Sequence, residues 1–127
     1  MIQINNQDGE SSLQMWYDSG MLKQIDISDP TNSLFISVVS IWEILVKNKL
    51  GKLPLPAPLS EILKPIRAAS NLQMLPLRES AVYRLIELPG FHRDPFDRIL
   101  ICQAIDEGLS IVTPDAQVRS YPVPTIW

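Results

Sequence analysis

HRDPFDRILICQAIDEGLSIVTPD, residues 92–115, decides the fold. Asp94 precedes Pro95, an arrangement that starts helices: the aspartate can cap and proline suits the first helical position. Apolar residues then recur to Ile105, and Gly108 can close the helix in a left-handed conformation. A helix is therefore expected over residues 95–107. Leu109, Ile111 and Val112 follow as a short β-branched run, which predicts a strand over 109–113. Asp115 comes directly after it. A helix feeding a buried strand that ends in a carboxylate is the repeating half of an α/β domain.

The same alternation extends toward the N-terminus. Residues 34–38, LFISV, read as a buried strand. Ser40 with Glu43 three residues on resembles a capping box, so a helix is expected over 40–50, stopping at Gly51. Pro54, Pro56 and Pro58 mark an extended connection. Residues 59–70 read as a helix with Pro65 as a kink, residues 72–77 as a strand interrupted by Pro76, and residues 78–88 as a third helix. Residues 123–127 can add a last short strand. Residues 13–27 are weakly helical and 28–32 form a turn cluster. Ile2 and Ile4 alternate with polar neighbours, which allows a strand stub. Strands alternating with helices predict an α/β fold with a parallel sheet covered on both faces.

The 127 residues suffice for one compact domain, so residues 1–127 are read as a single unit in which 1–24 are atypical. Hydrophobic residues make 46% and charged residues 20%, which argues against a disordered chain. No apolar run is long enough for a bilayer, and the N-terminus lacks the pattern of a secretory signal. Cys102 stands alone inside an apolar helix and reads as core. A zinc site of cysteine and histidine is not expected with one of each. These features fit a reducing cytoplasm. The net charge of −3 argues against a passive nucleic-acid-coating module. It leaves room for an enzyme that holds cations among carboxylates and lets them meet phosphate.

In a parallel sheet, polar residues just past the carboxyl ends of strands line the ligand crevice. Glu43, Asp94, Asp97 and Asp115 fall in such places. Clustered there, they would repel one another and take up protons unless a cation such as Mg²⁺ or Mn²⁺ sat between them. Each has a structural alternative. Glu43 can complete a capping box with Ser40, Asp94 can cap its helix, and Asp115 can be a turn residue. Asp97 is harder to dismiss, because it shares a helix face with Ile101, Ala104 and Ile105. A carboxylate on an inward apolar face needs a partner or a cation.

Four segments carry a resemblance: FISVVSIWEI at 35–44, KLGKL at 49–53, HRDPFDR at 92–98 and IVTPD at 111–115. Together they resemble the PIN-domain proteins of the VapC toxin type, over about three quarters of the chain and in the same order. The resemblance implies a three-layer α/β/α domain and a metal-dependent endoribonuclease using Mg²⁺ or Mn²⁺. It implies RNA as substrate, a VapB-like antitoxin as partner and a homodimer, with no membrane association. Glu43, Asp97 and Asp115 fall on the family's catalytic acidic positions, and Asp94 is a further candidate ligand. Thr113 would orient a ligand or water. Arg93, Arg98 and Lys47 are candidate phosphate contacts, each with the alternative of a solvated charge.

The chain departs from that family at its start. The family's first strand is apolar and ends in an aspartate that ligates metal. Here MIQINNQD supplies a short or missing strand. Asn5 lies nearest the expected spacing and Asp8 is the nearest carboxylate. A second reading follows: a catalytically inactive PIN scaffold that serves as a protein-interaction module.

Overall fold

The computed structural model describes residues 2–5, 33–69, 72–113 and 115–126. Five strands form one sheet: β1 (Ile2–Asn5), β2 (Ser33–Ser37), β3 (Leu72–Leu75), β4 (Ser110–Val112) and β5 (Thr125–Ile126), in the spatial order β3-β2-β1-β4-β5. Among the described residues, four helices accompany it: α1 (Val38–Lys49), α2 (Leu59–Ala69), α3 (Glu79–Tyr83) and α4 (Pro95–Glu107). The expectations for residues 13–32, and for Asp8, lie outside the described residues.

Alternation along the strands builds two cores. Leu34, Ile36 and Leu72 point to one face with Val112, where Ile41 of α1 and Leu63 and Ile66 of α2 cover them. Leu75 and Ile111 point to the other, against Ile101 and Ala104 of α4, with Val118, Tyr121 and Val123 closing the cluster. The result is the three-layer α/β/α arrangement expected. A third cluster, of Val39, Ile99 and Leu100 with Phe96, joins α1 directly to α4. Trp42 stands edge-on to Phe96 at 4.8 Å between ring centroids. This contact brings the carboxylates of the two helices together.

The sheet is parallel in its outer pairs, β2 with β3 and β4 with β5. At its centre the strand direction changes. β1 is short, as expected, and it runs antiparallel to both β2 and β4. An antiparallel ladder satisfies the inward-facing backbone groups of both neighbours as well as a parallel one would. Four residues without a flanking apolar run carry no signal of direction. The direction matters, because Asn5 pairs with Ser33 at the start of β2, while Ser37 ends that strand. At about 3.3 Å per residue, Asn5 sits roughly 13 Å from the carboxyl end of the sheet.

Helix α4 has the limits its sequence indicates. Asp94 Oδ1 accepts from Phe96 N at 2.9 Å, Pro95 is the first residue, and Gly108 takes φ +67° at the end. Helix α1 starts earlier than expected, at Val38. Its cap is Ser37, whose Oγ accepts from Val39 N at 3.0 Å. The capping box of Ser40 and Glu43 therefore does not form, and Glu43 lies in the second turn. The expected helix over 78–88 is shorter, with α3 passing into a 3₁₀ turn at Arg84–Ile86. Arg78 makes no side-chain cap there.

Candidate metal centre

Four carboxylates and one imidazole gather where the carboxyl end of β4 meets the starts of α1 and α4. Glu43, Asp94 and Asp97 can present one oxygen each within 4.8 Å of one another, and so can His92, Asp97 and Asp115 with one donor atom each. Asp97 belongs to both groups. Acidic residues cluster on many surfaces without a cation, so burial and partners decide what this cluster can do.

Glu43 is 5% exposed, on the side of α1 that faces α4. Lys47, one turn on, reaches Glu43 Oε2 at 2.8 Å. Lys47 is thus engaged with the cluster through Glu43. Asp94 fulfils the capping role and also belongs to the oxygen-only group. Asp115 caps the 3₁₀ turn Ala116–Ser120 through a 2.9 Å contact from Gln117 N, so its turn role and its place in the cluster coexist. Thr113 is buried, and its Oγ1 accepts from Asp115 N at 3.1 Å. That bond fixes the backbone from which Asp115 projects.

Asp97 carries the electrostatic signature of the site. Its pKa is pushed up to about 6, first by burial and then by Asp94 and Glu43, with Asp115 adding to the rise and His92 opposing it. Both causes disfavour the charged form, and a cation would relieve both. The donor set fits a small divalent ion: carboxylate oxygens suit Mg²⁺ and Mn²⁺.

Two arginines proposed as phosphate contacts part company. Arg93 is exposed beside the cluster. Arg98 turns away to backbone carbonyls, donating to Pro89 O at 2.9 Å, His92 O at 3.3 Å, Leu88 O at 3.4 Å and Leu85 O at 3.5 Å. These bonds give Arg98 a structural task, in place of the solvated charge that was its alternative. A planar fork suited to several acceptors at once is holding the loop ahead of α4.

The residue that sequence reasoning left without a role is His92. It is 8% exposed, and its Nε2 lies 3.1 Å from Asp115 Oδ2. Its ring stacks parallel to Tyr121 at 6.0 Å, and its backbone N–H donates to Tyr121 Oη at 2.5 Å. A lone histidine in a loop gives little warning of this. Its one signal is its place two residues before a helix-capping aspartate.

A family model described as the PIN domain matches residues 20–123. No curated protein and no solved structure matches the chain.

Proposed function

The chain belongs to the PIN-domain family, and from that premise we propose that it is a metal-dependent endoribonuclease of the VapC toxin type. PIN domains are typically nucleases that bind divalent metal and act on nucleic acid. The observation that supports the finer reading is the gathering of Glu43, Asp94 and Asp97, with one oxygen each within 4.8 Å of one another, and burial and this crowding raise Asp97 to about 6. A structural role would not need such crowding, and helix capping is already met by Asp94.

In this reading Glu43, Asp97 and Asp115 are the catalytic carboxylates and Asp94 is a further metal ligand. When bound, Mg²⁺ or Mn²⁺ would offset phosphate charge and acidify a water. The chain's own groups then have distinct tasks. Glu43 and Asp97 hold the cation from two helices packed together by Val39, Ile99 and Leu100. Thr113 positions Asp115 through its oxygen and keeps a hydroxyl hydrogen to donate to a ligand or water. Arg93 meets the phosphate backbone from the rim. The reading includes a VapB-like antitoxin, a homodimer and a cytoplasmic setting. A short antitoxin gene beside this one would support it.

A single-stranded RNA labelled at one end tests the proposal. Cleavage is expected with Mn²⁺ and absent with EDTA. Glu43→Gln should lower the rate by roughly tenfold or more, the least seen when even a supporting residue of a metal site is removed. No cleavage by the unaltered chain at any Mn²⁺ concentration would sink the nuclease reading. The register of β1 supports the alternative, a catalytically inactive scaffold for protein interaction. Asn5 lies at the far end of the sheet and cannot stand in for the family's first aspartate. A scaffold would fold and bind its partner without cutting.

A further inference from the structure

The His92 imidazole has no task in the reading above, and its surroundings are unusual. Its side chain is more than nine-tenths enclosed. Among the described residues, Nε2 is a buried atom without a hydrogen-bond partner, although it lies 3.1 Å from Asp115 Oδ2. The contact has the distance of a bond and lacks its geometry. Nδ1 lies 3.9 Å from Asp97 Oδ2, beyond hydrogen-bond reach. Leaving a polar atom buried and unmatched is unfavourable, and each such atom calls for an explanation.

The ring is also held in place from several sides. Tyr121 stacks on it and accepts from its backbone N–H, while Arg98 donates to its carbonyl. Phe91 stands edge-on to the same tyrosine at 5.2 Å. The imidazole is therefore fixed beside two carboxylates, with a donor atom of each within 4.8 Å. Nitrogen among oxygens changes which ion is preferred. Imidazole suits transition metals, whereas Mg²⁺ is held through oxygen.

We propose that His92, Asp97 and Asp115 form a second cation seat, of mixed nitrogen and oxygen donors, that selects a divalent transition-metal ion over Mg²⁺. The first seat, of Glu43, Asp94 and Asp97, is all oxygen and shares Asp97 with it. The proposal rests on the nuclease reading for the presence of cations at this edge, and it gives the chain a ligand beyond its four carboxylates. Among the described residues β1 brings no acidic group to the site, and the imidazole adds a donor at the same edge of the sheet.

His92 is the chain's single histidine, so one imidazole can be watched without substitution. The test uses untagged protein with ¹⁵N-labelled histidine at pH 7.5. Zn²⁺ should shift one ring nitrogen strongly and saturably, while Mg²⁺ leaves both unmoved. In calorimetry, His92→Gln should weaken Co²⁺ binding by at least about tenfold, the lower bound for disturbing a metal site. Glu43→Gln should leave the Zn²⁺ shift in place. Heat from Zn²⁺ or Co²⁺ with a silent imidazole would overturn this inference and leave the nuclease reading standing. So would an imidazole that stays protonated on both nitrogens at saturating Zn²⁺, as a simple ion pair with Asp115 would. No heat with any divalent ion would defeat both.

Discussion

Asp97→Asn is expected to yield a chain that is more stable at neutral pH and nearly blind to divalent cations. Asp97 is the one carboxylate common to both candidate groups. Removing its charge should weaken Mn²⁺ binding by more than about a hundredfold, beyond the range for residues that only support a ligand. Metal-dependent RNA cleavage should fall with it. The stability gain follows from the same crowding. Asp97 is raised from an ordinary 3.8 to about 6 in the fold. Between those values the folded chain binds a proton that the unfolded chain has released. Its penalty is absent below about 4, grows as pH rises and is complete above about 6. The metal-free native chain should therefore lose stability from this group as pH rises through that window, and asparagine should remove the loss. Because the carboxyl is partly solvated, the gain at pH 7.5 is on the order of 1 kcal/mol, less than full linkage would give. Thermal melts in EDTA at pH 5 and pH 7.5 read it directly. A variant less stable than the parent at pH 7.5 would mean that Asp97 is held by a structural partner rather than crowded by its neighbours.

Gln103→Leu should be the most destabilising of the single changes considered. Gln103 is fully buried in the middle of α4. Its Oε1 accepts from Ser37 Oγ at 2.5 Å, and its Nε2 donates to Pro76 O at 3.0 Å. Ser37 in turn caps α1. One amide thus ties the end of β2, the start of α1 and the exit from β3 to α4. Leucine fills the space and abandons both partners: the fully buried Ser37 hydroxyl then costs about 1–3 kcal/mol, while Pro76 is an exposed residue whose carbonyl can turn to water. A loss of about 2 kcal/mol is expected, on the order of 7 °C in melting temperature for a domain of this size. Ser37→Ala should lose less, and the double variant should fall short of the sum, because the two changes break one shared bond. Additive losses in urea melts would show that the network is not coupled. Mn²⁺ affinity should drop as well, since Gln103 sets the placement of α1, and so of Glu43, against Asp97.

How far the sequence carried depends on whether each signal is local. Helix α4 was legible at both ends because Asp94, Pro95 and Gly108 act within a turn of where they stand. Helix α1 was not legible at its start. Ser40 and Glu43 imitate a capping box, and Val38 looks like more strand. Ser37 prevails as cap while its hydroxyl also donates to Gln103, 66 residues away. The third helix was overextended: it gives way to a 3₁₀ turn at Arg84–Ile86, where Arg98, from a later element, meets the carbonyls of Leu85 and Leu88. The direction of β1 could not be read from four residues. For the candidate site, the four carboxylates were legible as residues at strand and helix ends. His92 was not, since its place depends on Tyr121, 29 residues further on.

Calorimetric titration of Mn²⁺ into the untagged, unaltered chain at pH 7.5 bears most directly on the central claim, that this cluster is built to hold a divalent cation. Saturable heat is expected, lost on Asp97→Asn and accompanied by a rise in melting temperature as ion binding favours the folded state. A chain that folds, stays monodisperse and gives no heat up to millimolar Mn²⁺ would contradict the account and leave the carboxylates as neighbours without a shared task.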